Sequence, residues 1–151
     1  MFLTTCIMAG CDYLDQIKGV GMKLAQKVIS KNTTLSKALS ELSQSKQIPP
    51  SYKDNFLKAL LTFRFQRVYC PIRKDCVSVN ELNLKEIHEQ KSGIPEYKCW
   101  AEEVLDMEMI EYTLKMPIDE NDPDWSFLGK KLSKSIASKV AEGEINPVHF
   151  N

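Results

Sequence analysis

The stretch Ala9–Ile29, AGCDYLDQIKGVGMKLAQKVI, decides how the chain reads. Gly19-Val20-Gly21 is a turn sequence, because glycine accepts backbone angles that side chains resist and lets another group come close to the main chain. The residues after the turn have helical period, with Leu24, Ala25, Val28 and Ile29 on one face and Lys23, Gln26 and Lys27 on the other. A helix opening at such a turn points its first amides outward, and its dipole favours an anion there. Lys23 and Lys27, one turn apart, add positive charge beside that end. Val20 is expected to point inward and pack the turn. Lys18, Gly19, Val20, Gly21, Lys23 and Lys27 are therefore the candidate phosphate contacts, of the kind that grip a DNA backbone without reading bases. The plain alternative is a glycine turn between two core helices.

Just upstream stands Asp12. Taken alone it reads as a turn or cap acid closing the loop after Gly10, or as a metal ligand. Asp15 carries the same plain reading and nothing to raise it. One carboxylate cannot hold a catalytic metal centre by itself.

Working outward, nearly every periodic segment reads as helix. Phe2–Ala9 looks like the last turns of a helix that stops at Gly10. Thr34–Ser43 repeats the period with Leu35, Ala38, Leu39 and Leu42. Pro49-Pro50 interrupts, Ser51 is placed to cap the next helix, and that helix runs through Phe56, Leu57, Leu60, Leu61 and Phe63 to about Val68. CPIRKDCVSVN reads as extended or looping. Leu82–Gln90 reads as a short helix, KSGIPEYK as a loop, and Ala101–Lys115 as a weakly amphipathic acidic stretch. MPIDENDPDWSF is a proline-rich connection. Gly129–Glu142 reads as a last helix, with Leu128, Leu132, Ile136 and Val140 every four residues and Gly143 at its C-cap. The predicted fold is an all-α domain with extended loops.

The 151 residues suffice for one domain with its own core. No apolar run has the length of a membrane span, and the opening MFLTTCIMAG lacks the basic start of a signal peptide. Five cysteines, an odd number without a CxxC pair, point to free thiols in a reducing compartment. Cys70, Cys76 and His88 form a loose metal-ligand grouping that reads more simply as buried thiols. Net charge is zero, yet Asp12–Lys74 holds twelve Lys/Arg against four Asp/Glu, and Asp75–Gly129 holds four against fourteen. The basic first half suits a polyanion, or the two halves attract each other. Phe56, Phe63, Phe65 and Tyr69 suit a helix core better than base stacking. Arg64, Arg67, Arg73 and Lys74 form either a second phosphate-facing patch or solvated charge. Trp100 and Trp125 read as loop anchors. His88 and His149 have no identifiable catalytic partner.

The segment GCDYLDQIKGVGMKLAQKVI resembles the XPG and flap-endonuclease family of structure-specific 5′ nucleases, and most of all its exonuclease-1-like branch. In that family a glycine-x-Asp-Tyr segment runs directly into a helix-hairpin-helix element, the helix-two-turn-helix. PPSYKDNFLKALLTFRFQRVYCPIRKDCVSVNELN and FLGKKLSKSIASKVAEGEINPVHF are similar to later blocks of the branch. The likeness is weakest between Leu82 and Asp124.

The resemblance implies that Asp12 binds one of two catalytic magnesium ions. The other carboxylates come from upstream parts of the family's fold, so no complete catalytic set is present. Residues 1–151 would then be the C-terminal part of a nuclease core: an excised piece, a truncated reading frame or a degenerate relative. The resemblance also implies a potassium ion in the hairpin, held by the Val20 carbonyl and by a side chain at position 16. There this chain departs from the family, since Gln16 replaces a frequent serine and Ala9 lacks a frequent hydroxyl. The implied activity is magnesium-dependent 5′-to-3′ exonuclease or flap-endonuclease hydrolysis in mismatch repair and replication. The implied partners are double-stranded DNA with 5′ ends, flaps or nicks, together with repair or replication proteins. The implied location is the nucleus of a eukaryote. Two rivals remain at this point: a DNA-binding module without chemistry, and an interaction domain using the acidic stretch Glu102–Glu111.

Overall fold

The computed structural model describes residues 2–80, 108–109, 111–117, 119 and 122–146. Helix α1, Phe2–Ala9, stops as expected at Gly10, which adopts φ +109 and donates its N–H to the Ile7 carbonyl at 3.1 Å. Helices α2 (Met22–Lys31), α3 (Leu35–Ser43) and α4 (Tyr52–Phe65) match the predicted periods. Thr34 caps α3, its hydroxyl accepting from the Lys37 N–H at 3.1 Å. Ser51 does not cap α4: its hydroxyl accepts from the Asn55 side chain at 3.4 Å, and its backbone lies at φ −82, ψ 0 rather than extended.

Helix α1 packs on α2 and α4, and α3 packs on α2 and α4. Between them Ile7, Met8, Val20, Phe56, Leu60 and Leu61 are sealed from solvent. Each such side chain is worth about 1.5–3 kcal/mol of burial, enough to make this four-helix unit the rigid support of the Ala9–Gly21 segment. Phe56 lies wholly in this core, and Phe63 and Phe65 pack on its edge, as the core reading of these aromatics required.

The molecule is mostly helical, but it is not helical throughout. Helix α4 ends at Phe65 rather than near Val68, because Gln66 swings to φ −54, ψ 151. Strand β1, Arg67–Cys70, then pairs antiparallel with β2, Asp75–Ser78, across a turn in which Lys74 takes φ +48. Cys70 is paired with Asp75 and Cys76 with Tyr69. Directly opposed residues share a face and successive residues alternate, so the two cysteines face opposite sides. Among the described residues, no three His, Cys, Asp or Glu side chains come together as a metal site.

A 3₁₀ helix, Pro123–Leu128, buries Trp125 and Leu128 against α4. The Trp125 indole donates to the Pro117 carbonyl at 2.8 Å, which is the anchoring role expected of it. The last helix, α5, spans only Lys134–Ala141 and packs on β2. Ser133 caps it, and Gly143 takes the left-handed φ of +78 just past its end. The four-residue stripe misjudges its inner face. Leu128 belongs to the 3₁₀ helix, and Ala137 is the buried residue of α5 while Ile136 is 37% exposed.

Glu108, from the acidic half of the sequence, docks on α3 in the basic half. Its carboxylate accepts from the Leu35 N–H at 2.7 Å and from the Ser36 N–H and hydroxyl at 3.2 and 2.6 Å, and it lies 3.3 Å from the Lys53 ammonium. It thus closes the positive end of α3. Burial pushes its pKa up, but the Ser36 hydroxyl, the Leu35 amide and Lys53 outweigh this and hold it below the ordinary carboxylate value. The predicted helix Leu82–Gln90, the loop KSGIPEYK, most of Ala101–Lys115, and Cys99, Trp100, His88 and His149 lie outside the described residues.

Candidate nucleic-acid interface

Two turns build the segment between α1 and α2. In the first, the Cys11 N–H donates to the Leu14 carbonyl at 3.0 Å and the Leu14 N–H returns to Cys11 at 3.2 Å. Asp12 and Tyr13 form its tip. The main chain closes this turn unaided: among the described residues no hydrogen bond or ion pair engages the exposed Asp12 carboxylate. Gly10 is required by proximity as well as by its φ, since a Cβ there would stand 2.9 Å from that of Gln16. The Tyr13 hydroxyl donates to the Gln66 side chain at 2.9 Å, and its ring meets Phe63 edge-on at 5.0 Å. Leu14, Ile17 and Val20, every third residue, are buried. The segment is therefore pinned to the core at both turns.

In the second turn the Val20 N–H donates to the Ile17 carbonyl at 2.8 Å, leaving Lys18 and Gly19 at the corner. Val20 is fully buried, as expected. The two glycines prove unlike. Gly19 sits at φ +78, a conformation that excludes most side chains, whereas Gly21 has an ordinary extended backbone at φ −92, ψ −179 and open space where a Cβ would be. The turn geometry needs glycine at 19 only.

Gly21 is the N-cap of α2. Among the described residues no side chain bonds the first amides of that helix, and its first turn carries no acid. The contrast with α3, which Thr34 and Glu108 both close, is direct. Lys18, Lys23 and Lys27 are exposed around the open end of α2. Lys31, at the far end, is instead paired with Glu41 at 3.0 Å.

A further cation arrives here that periodicity could not reveal. Lys46, in the connection between α3 and α4, places its ammonium 2.8 Å from where a Cβ on Gly19 would lie. Lys46 is remote in sequence, and no local pattern marks it.

The second basic grouping divides. The Arg64 guanidinium touches the Met109 sulfur at 3.8 Å, and the Arg67 guanidinium donates to the Gly129 carbonyl at 2.6 Å, so both serve the fold. Arg73 and Lys74 stand exposed at the tip of the β-hairpin. Tyr69 faces α5 across a small cleft that Ala137 and Val140 also line. Gln16 is exposed and the Val20 side chain is turned into the core.

A two-metal hydrolytic centre needs several carboxylates holding ions roughly 4 Å apart. The described residues supply Asp12, but no three His, Cys, Asp or Glu side chains gather there as a metal site. They do not fit such a centre, and no step of hydrolysis follows from them.

Comparison with known proteins decides the relationship. The chain is 32% identical over 149 residues to exonuclease 1 of Oryza sativa subsp. japonica, covering 98% of the chain and 14% of that protein. It is 38% identical over 148 residues to exonuclease 1 of Arabidopsis thaliana, covering 97% and 15%. Over 98 residues it is 33% identical to flap endonuclease 1 of Aedes aegypti, covering 65% and 23%. The chain belongs to the XPG/flap-endonuclease family, as an exonuclease-1-like member. It spans about a seventh of the length of the two plant exonuclease 1 relatives it matches end to end. No family model matches it. Among the described residues no helix is long and apolar enough to cross a membrane.

Proposed function

We propose that this exonuclease-1-like chain is the duplex-gripping, C-terminal portion of a structure-specific, magnesium-dependent 5′-to-3′ nuclease of mismatch repair and replication. Its helix-hairpin-helix would be formed by α1, the two turns and α2. The observation that carries this reading is the positive end of α2, open among the described residues: first amides that no side chain bonds, no acid in the first turn, clear space at Gly21, and Lys18, Lys23 and Lys27 around it. Backbone amides and ammonium groups in that arrangement suit a phosphate and carry no base preference. Asp12, exposed and unengaged among the described residues, is the residue that would hold one magnesium ion once the remaining carboxylates of a whole enzyme surround it. Potassium at the Val20 carbonyl would have to take the Gln16 amide oxygen, since neither Gln16 nor Ala9 supplies a hydroxyl.

The rival acidic interaction face loses support at Glu108, whose carboxylate is spent on α3 and Lys53. The nuclear and reducing setting follows from the same proposal. Anisotropy of a labelled duplex, titrated with salt, tests the grip. Binding should be weak, independent of sequence, and fall with a log–log slope of about −2 to −3, the mark of two or three neutralised phosphates. Binding confined to one sequence, or none at low salt, would rule out the turn as the gripping element.

A further inference from the structure

Beside the glycine turn lies a cleft of about 860 Å³, with Tyr13–Lys18 on one wall and Ser45–Pro50 on the other. We propose that this cleft is a second phosphate site for the same nucleic-acid backbone, with Lys46 as its fixed cation. The inference rests on the reading that the turn meets a phosphodiester strand.

Three observations carry it. The first is the position of Lys46. A free lysine normally extends its ammonium into water, but this one lies against Gly19, in space that only a missing side chain leaves open. Its main-chain N–H donates to the Leu42 carbonyl at 2.8 Å, which fixes the base of the side chain just past the end of α3. The second is its lack of a counter-charge. Lys46 is half-buried, and among the described residues no carboxylate lies within ion-pair distance of it. An ammonium held in this place without a counter-charge is a ready partner for an anion from outside. The third is the character of the walls. Lys18 faces the cleft from the opposite side, Asp15 is the one acid lining it, and Gln16, Gln47 and Asn55 offer amide donors. Two ammonium groups and several neutral donors against one acid suit a singly charged phosphodiester with several acceptor oxygens.

Gly19 joins the two sites, since it forms the corner of the turn and also receives Lys46. A strand held at the amides of α2 therefore continues naturally past Lys46 into the cleft. The reach of this grip is set by two elements, the turn and the α3–α4 connection, rather than by the turn alone.

The test is salt-titrated anisotropy on two unrelated duplexes, with thermal unfolding of each variant as the check on folding. Lys46→Gln keeps the stem and removes the charge. It should weaken both duplexes alike and reduce the salt slope by about one, and the loss should add to that of Lys23→Ala. Lys46→Arg should restore the slope. If Lys23→Ala lowers the slope and Lys46→Gln does not, the turn stands and the cleft site is overturned. If neither variant changes it, the turn reading fails and the cleft fails with it. A loss in Lys46→Arg equal to that in Lys46→Gln would show packing rather than charge, and would also overturn the assignment.

Discussion

Gly19 and Gly21, two residues apart in one turn, have opposite conformational needs: φ +78 with an ammonium pressed close, against φ −92 with empty space around it. The difference separates a glycine that the turn requires from one that it does not. Gly19→Ala forces a side chain into the left-handed region and against Lys46, and should cost about 1–3 kcal/mol of stability. Gly21→Ala meets no clash and no strained backbone, and should cost only about 0.5–1 kcal/mol, the exchange of a favoured N-cap residue for a poor one. If the α2 amides meet a phosphate, the added methyl should nonetheless weaken duplex binding severalfold. Urea unfolding together with duplex anisotropy on both variants reads this out. Unchanged binding in Gly21→Ala would mean that nothing approaches that glycine.

Tyr52 is buried at the N-terminus of α4, and its hydroxyl is the one buried side-chain oxygen without a hydrogen-bond partner among the described residues. Burial, with a smaller contribution from Cys11, pushes its pKa up to about 12, so it stays a neutral donor at any working pH. A donor left unsatisfied in the interior costs about 1–3 kcal/mol. Tyr52→Phe keeps the ring and removes the cost, so it should leave the protein as stable or more stable, by about 1 kcal/mol in urea unfolding. A clear loss of stability would reveal an acceptor for the hydroxyl.

How far these features are legible in the sequence depends on their range along the chain. The α2 and α3 helices are open to reading because their apolar residues recur at helical spacing, and the stop at Gly10 because glycine takes the positive φ that ends α1. Strands β1 and β2, four residues each, are too short for a period-two pattern to stand out. The apolar residues of α4 carry on smoothly into Val68, so the break at Gln66 leaves no mark in the sequence. Spacing draws the last helix too long, because Leu128, Leu132, Ile136 and Val140 share a period without sharing an element. At the site, the lysines of α2 and the turn are local and visible. Lys46 reaches Gly19 only through the folding of α3. Gly21 and Gly19 look alike in the sequence because composition does not report φ, and equating them is an error that only the backbone corrects.

Glu108 links stability to acid. Its folded pKa lies below the unfolded value, so the stability it contributes is complete above the unfolded pKa, near 4.5, and is lost as pH falls through the lower folded value. The partial exposure of the carboxylate keeps this contribution modest. Glu108→Gln should lower the melting temperature at pH 7 and flatten its dependence on pH below about 4.5. Glu108→Ala also strips the α3 amides of their partner, and should cost about 1–2 kcal/mol, the scale of a lost helix cap. An unchanged acid limb in Glu108→Gln would assign that limb to other carboxylates.

Asp12 gives the sharpest division between structure and chemistry. The turn that carries it is closed by the paired main-chain bonds of Cys11 and Leu14 and pinned by Tyr13 to Gln66 and Phe63. Nothing among the described residues leans on the carboxylate itself. Asp12→Asn should therefore change stability by less than about 0.5 kcal/mol and leave duplex binding intact. A loss near 2 kcal/mol would instead match a capping acid. Catalysis should part from both measures. The 151-residue chain, in which the described residues gather no set of metal-binding carboxylates around Asp12, should not cleave DNA with magnesium or manganese. When the same substitution is placed in a longer relative that carries the other carboxylates, cleavage should fall by orders of magnitude while duplex affinity holds. Robust cleavage by the 151-residue chain, abolished by Asp12→Ala, would show that the missing ligands lie within the chain after all.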